Sequence, residues 1–215
     1  MTPPQMPQCD HAGLRLVRHE SDDRAAVSDF IRAKFLRDHG AHLHHLMPHL
    51  FSLRRPGDEI VAAFGLREAA HERLFMECYL DEPVESRIAR LSGREVARDR
   101  IIEVGNLATT LGGARAMIAA LTKHLHETGT EWVTFTGVHA LRHAFHRLGL
   151  RPLSIAAATP DRLSDSERLL WGRYFEGRPV VMAGYVPHGY RMLMRRQDRA
   201  WQAALTLEQS EACAS

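Results

Sequence analysis

The sequence predicts a mixed α/β fold, a largely antiparallel central sheet flanked by helices on both faces. Three observations lead there. Strand-like runs at Leu50–Leu53, Glu59–Arg67 and Arg73–Leu80 follow one another with no helical pattern between them. From Arg100–Thr109 onward, strand and helix alternate: a helix opens at Gly112 and Gly113, followed by strand Trp132–Thr136, helix Ala140–Leu148 and strands Arg151–Ala158 and Pro179–Val186. A purely parallel sheet needs a crossover helix after every strand, and the early strands lack them, so a meander joined to βαβ crossovers is the reading that fits.

The remaining elements follow from periodicity and punctuation. Leu14, Leu16 and His19 alternate as in a short strand. Ser21 or Asp22 then caps a helix carrying Val27, Phe30, Ile31 and Phe35 at helical spacing, and Gly40 ends it. A histidine-rich stretch, His42 to His49, leads into the next strand, and Pro56, Gly57 and Asp58 make a turn. The segment Glu82–Gly93 reads as helix. Residues 1–12 and 203–215 are polar or small without periodicity and are expected to be flexible, which leaves 13–202 as a single domain.

Composition narrows the function classes. A formal charge of +2 over 215 residues gives no global attraction to nucleic acid. Cys9, Cys78 and Cys213 have neither disulfide nor zinc-ligand spacing, and Cys78 reads as a small core residue. The N-terminal residues carry no basic segment followed by an apolar one, and no window approaches the ~18 apolar residues of a membrane span. A cytoplasmic location is the expectation. His39, His42, His44, His45 and His49 lie close in sequence, but no carboxylate or cysteine completes a ligand set, so no metal site is predicted.

The stretch 101–121, IIEVGNLATTLGGARAMIAAL, carries the strongest chemical signal. An apolar strand runs into a glycine pair and a helix begins at once. The amides of a helix N-terminus attract phosphate, and glycine lets the backbone approach closely. Neither GxGxxG nor the P-loop pattern is present. On its own the element reads equally as a tight turn that needs glycine.

A second segment, WVTFTGVHALRHAFHRLGLRPL (132–153), is strand, loop, short helix and a Leu-Gly-Leu entry to another strand. Together the two segments resemble the GNAT superfamily of acyl-CoA-dependent N-acyltransferases. Thr109, Gly112 and Ala114 match its phosphate-cradling [QR]xxGx[GA] turn; Phe145, Gly149 and Leu150 match its YxxxGF-like signature. Thr109 stands where Gln or Arg is usual. Phe145 stands where many members place a tyrosine that protonates the leaving thiolate, and a phenyl ring cannot do so. The strings GLREAAHERLFMECYLDEPVE, IIEVGNLA, WVTFTG, LRHAFHRLGLRPL and WGRYFEGRPVVMAGY, spread over about residues 30–190, are similar to the thermostable hemolysin family, which is GNAT-like and closest in layout to the acyl-homoserine lactone synthases.

The resemblance implies a thioester donor, acyl-CoA or acyl carrier protein, and a small-molecule amine acceptor. Donor contacts are implied at Leu107, Thr109, Leu111, Gly112, Gly113, Ala114 and Arg115, with His143 near the thiol end. Substrate contacts are implied at Arg67, Phe35 and Thr136, the acyl chain entering a V-shaped gap between the strands at 101–109 and 132–137. A backbone amide of the first strand would polarise the thioester carbonyl. The amine must lose a proton on attack, and Glu103, a carboxylate within an apolar run, is the first candidate base; Glu77 is the second. Glu103 reads equally as facing solvent or pairing with Arg67. Asn106 reads as a substrate contact or as the residue of a β-bulge, and Tyr79 as a cleft hydrogen-bond donor or a structural tyrosine.

Three functions are carried forward: an N-acyltransferase, a membrane-active hemolysin, and a degenerate module that only binds acyl-CoA. The membrane reading rests on a basic, apolar helix at Tyr190–Leu207, whose composition equally suits a helix packed on its own domain.

Overall fold

The computed structural model describes residues 10–11 and 13–196. Eight strands form one sheet: β1 (Asp10–His11), β2 (Leu14–His19), β3 (His49–Arg54), β4 (Ile60–Glu68), β5 (Ile101–Thr109), β6 (Trp132–Gly137), β7 (Leu153–Ala157) and β8 (Val180–Tyr185), in the order β1-β2-β3-β4-β5-β6-β8-β7. Among the described residues only β5 and β6 pair in parallel. The helices are α1 (Ala25–His39), α2 (Val84–Ser92), α3 (Gly113–Glu127), α4 (His139–Arg147), α5 (Asp165–Leu170) and α6 (residues 186–196).

Strand alternation divides the core. Ala63 and Ala108 face α1 through Val27, Ile31 and Phe35, and Ile101 and Val181 face α2 through Ile88. Their neighbours Phe64, Val104 and Met182 point to the other face, where Met117, Leu121 and Leu125 of α3 cover them. The predicted mixed, largely antiparallel sheet with helices on both faces is the observed one.

Several expectations need correction. Asp10–His11, assigned to a flexible end, pairs with β2; residues 203–215 lie outside the described residues. The N-cap of α1 is Arg24 without a side-chain cap, not Ser21 or Asp22. Arg73–Leu80 is not a strand but holds a 3-10 turn, Phe75–Tyr79. Its amides are taken by two buried carboxylates: Glu77 accepts from Leu74 N at 2.9 Å, and Glu103 accepts from Phe75 N at 2.9 Å and Met76 N at 2.8 Å; Glu77 also accepts from Val84 N, at the start of α2, at 3.0 Å. A chain whose donors are spent this way cannot join a ladder.

Residues 190–196 of the proposed membrane-active helix belong to α6, where Leu193 is buried against Ile118, Ala144 and Leu150, and Tyr190 stacks on His126; 197–207 lie outside the described residues. Among the described residues no helix is long and apolar enough to cross a membrane.

Candidate active site

The parallel ladder between β5 and β6 stops early. Ile101–Val104 pair with Trp132–Phe135, after which β6 continues against β8 alone. Asn106 is the cause on the β5 side. It holds a left-handed backbone with φ 53°, and the β4–β5 register shifts there, Gly65 facing Gly105 but Ala63 facing Ala108. That is a β-bulge, which bends its strand. The Asn106 side chain fixes it by accepting a hydrogen bond from Met47 N at 2.7 Å.

A cavity of about 560 Å³ enters the sheet where the strands part, a size within the range of small-molecule sites. Gly105, Asn106, Leu107 and Thr109 of β5 form one wall, and Thr136, Gly137 and Val138 form the other. Phe35, Met47, Trp171 and Tyr174 close one side; Met117 and Leu141 close the opposite side. Ala114, in the first turn of α3, stands at one end, and Arg67, Tyr79 and Glu103 line the polar part.

The polar part is electrostatically taut. Glu103 is 3% exposed, and burial pushes its carboxyl above the ordinary range, with the Met76 and Phe75 amides and the Arg67 charge opposing. Arg67 Nη1 lies 4.0 Å from Glu103 Oε2, so the carboxylate faces both a cation and the cavity. The buried Nε of Arg67 faces Glu72 Oε1 at 3.4 Å as an ion pair, and the buried hydroxyl of Thr134, the register partner of Glu103, makes no hydrogen bond. Arg67, on the cavity wall, is thus shared between Glu72 and Glu103. Burial also raises the phenols of Tyr79 and Tyr174, which therefore stay protonated. The Tyr174 hydroxyl donates to the Thr136 carbonyl at 3.4 Å, in the wall of the gap.

Thus Phe35, Arg67, Tyr79, Glu103, Asn106, Leu107, Thr109, Ala114 and Thr136 converge on one cavity. Glu77 does not, which corrects its candidacy as base. It lies outside the cavity lining, clamped by Arg98 at 2.8 and 2.9 Å, and Arg98 together with the Val84 and Leu74 amides holds its carboxyl down at about 2 despite burial. Leu111 is fully exposed, Arg115 is exposed and unpaired among the described residues, and His143 packs on His139 at the surface, away from the cavity wall. No group of three or more potential metal ligands occurs among the described residues.

The glycine pair has separate duties. Gly112 sits at φ 83° and ends the turn, leaving α3 without a side-chain cap. Gly113 packs against β4, where an added Cβ would lie 2.7 Å from the Val61 carbonyl oxygen. Gly113→Ala is expected to lower stability by about 1–3 kcal/mol, measured as a reduced urea midpoint at unchanged slope.

Sequence reasoning missed Trp171 and Tyr174, which with Phe35 and Phe75 form an aromatic cluster over the cavity. The spacing of Trp171, Tyr174 and Phe175 was the available signal. It also missed a serine–histidine–aspartate array: His19 Nε2 lies 2.7 Å from Ser52 Oγ and Nδ1 3.0 Å from Asp23. Ser52 is fully buried, is also bonded by Arg54 Nε, and lines neither cavity, so the array braces the start of α1 rather than meeting a substrate.

A second cavity, of about 360 Å³, lies on the α3 side of the sheet and shares Val104, Leu107, Met117 and Leu141 with the first. Phe145, in place of the superfamily tyrosine, lines it and stacks on Phe135 at 4.8 Å.

A family model described as thermostable hemolysin matches residues 17–190. No curated protein sequence matches the chain significantly. Among solved structures, FeeM, an N-acyl amino acid synthase from uncultured soil microbes, is 16% identical with a TM-score of 0.56, covering 86% of this chain and 98% of its own. TofI, in a ternary complex with an inhibitor and MTA, is 17% identical with a TM-score of 0.54, covering 80% and 91%. BjaI, a CoA-dependent acyl-homoserine lactone synthase with SAM and isopentyl-CoA, is 13% identical with a TM-score of 0.52, covering 86% and 89%. At these identities the likeness shows the fold, which is GNAT-like.

Proposed function

The chain belongs to the thermostable hemolysin family, and from that premise we propose that it is an N-acyltransferase, moving an acyl group from acyl-CoA or an acyl carrier protein to the amine of a small molecule. The observation that carries this reading is the parted β5–β6 pair, whose cavity has a helix N-terminus at one end and a buried carboxylate at the other. That BjaI is described with isopentyl-CoA supports a CoA thioester as donor.

In this reading the donor's phosphates meet the uncapped amides of α3 and Arg115, and its thiol arm runs along Leu107 and Thr109. The acyl group rests on Phe35, Met47 and Trp171. Beyond Val104, β5 has no β6 partner, so an amide there is free to hold the thioester oxygen. The amine attacks the carbonyl carbon, a C–N bond forms, and Glu103 takes the amine proton. The C–S bond then breaks. The departing thiolate takes a proton from water, and Glu103 releases to solvent the one it took from the amine. The Arg67 guanidinium on the cavity wall favours an acceptor that also carries an acidic group.

A thiol-reagent assay with acyl-CoAs of graded chain length and a panel of amines, amino acids included, is expected to show saturable, amine-dependent thiol release. Silence with both CoA and carrier-protein thioesters would favour the binding module, for which Phe145 at the tyrosine position is the supporting observation.

A further inference from the structure

Arg67 stands between two carboxylates and closes on neither. Its Nη1 lies 4.0 Å from Glu103 Oε2, and its Nε lies 3.4 Å from Glu72 Oε1. A guanidinium and a carboxylate that are free to approach settle at about 2.7–2.9 Å. The pair next to them does so: Arg98 meets the two oxygens of Glu77 at 2.8 and 2.9 Å. Glu103 cannot move to shorten its own gap, because the Phe75 and Met76 amides hold both its oxygens. Arg67 is the partner with freedom to move, its side chain being 23% exposed, and the charge on its other side is Glu72. Glu72 is anchored in turn, its backbone carbonyl accepting from Arg98 Nη2 at 3.2 Å. Its own side chain is 48% exposed and lines neither cavity. A solvated charge acts weakly at a distance, so what Glu72 does to Glu103 it does mainly through Arg67.

We propose that Glu72 is a positioning residue: drawing Arg67 toward itself, it holds the guanidinium off the Glu103 carboxylate and leaves that carboxylate free to take the amine proton. The consequence for catalysis rests on the acyl-transfer reading; the hold of Glu72 on Arg67 does not. Without Glu72, Arg67 swings onto Glu103, and a cation bonded to a carboxylate favours its ionised form. Glu103 then ionises at lower pH and becomes a weaker base. The other groups close to Glu103 are Glu77, Cys78 and Tyr79 of the 3-10 turn and its register partner Thr134. Across the cavity stand Glu167 and the imidazoles of His39, His42, His44 and His45. Among the described residues none of these is paired with Arg67, so they form a constant background when Glu72 alone is changed.

A carbon-13 resonance titration of the full chain, labelled at the glutamate carboxyl carbons, tests this without turnover. The Glu103 signal is the one missing from Glu103→Gln. In Glu72→Gln its midpoint is expected about one unit below that of the wild type. In Glu68→Gln, which removes a carboxylate paired with His71 instead, the midpoint is expected to stay where it is. In an Arg67→Gln background, Glu72→Gln is expected to move it by less than half as much, since the two act through one contact. In the thiol-release assay the rising pH limb of Glu72→Gln should shift by the same amount and reach a lower plateau. An unmoved midpoint in folded Glu72→Gln, or an equal shift with and without Arg67, overturns the proposal. A moved midpoint with no thiol release from any thioester overturns the acyl-transfer reading and leaves the hold of Glu72 on Arg67 standing.

Discussion

Replacing Glu103 with glutamine is expected to lower amine-dependent thiol release by about two orders of magnitude, the usual contribution of a positioned general base. The substitution keeps shape and burial but removes the ability to take a proton. Because burial lifts the carboxyl above its ordinary value of 4.5, the wild-type rate should climb with pH as Glu103 ionises, and this limb should vanish in the variant. The sign for stability is opposite. A carboxyl with a raised folded value favours folding only when neutral, so its stability contribution is lost as pH rises from 4.5 through that value; the variant escapes this loss. It also turns one amide acceptor into a donor facing Phe75 or Met76, a cost of about 1–3 kcal/mol. Rates are therefore compared on material whose folded fraction is verified by thermal unfolding. A folded Glu103→Gln protein with wild-type rate and an unchanged pH profile would reduce Glu103 to a brace for the 3-10 turn.

That dual engagement explains why the site was only partly legible in the sequence. Glu103 stood out because a charge interrupts an apolar run, and α3 stood out because glycine punctuates strand and helix. Both are local patterns. The segment 73–80 was misread as a strand for a non-local reason: its apolar residues suit a strand, but its amides are claimed by Glu103, distant in sequence, and by Glu77. Asn106 was readable as a bulge only as one of two options, since a bulge is a relation between two strands. Trp171 and Tyr174 lie on a connection without periodicity, and their role appears once α1 and β6 are folded against them. The second cavity is bounded by residues of eight elements and of the connections after α2 and before β7, so no window of sequence contains it.

Arg98 is where the opposite outcome, a loss of stability through a group outside the cavity, is expected to be largest. Its guanidinium bonds both oxygens of Glu77, at 2.8 and 2.9 Å, Glu85 at 2.7 Å, and the carbonyls of Ala69 and Glu72 at 2.9 and 3.2 Å. It thereby joins the end of β4, the 3-10 turn and the start of α2. Arg98→Ala strands Glu77 as a buried charge with only two amides for company, and such losses amount to about 3–5 kcal/mol. The linkage gives an independent size. The Glu77 carboxyl falls from 4.5 to about 2 on folding, equivalent to roughly 3 kcal/mol. Because this value is depressed, the contribution is present above 4.5 and is lost as pH falls from there toward 2. Urea unfolding at neutral pH should therefore separate wild type from Arg98→Ala widely, and the gap should narrow in acid as Glu77 takes a proton in both. A gap under about 1 kcal/mol, or one that does not change with pH, would mean that the network is a solvated surface pairing. Since the same turn presents the amides that grip Glu103, a folded Arg98→Ala protein is also expected to lose thiol release more than Glu85→Gln, which removes a single bond to Arg98 and leaves Glu77 held.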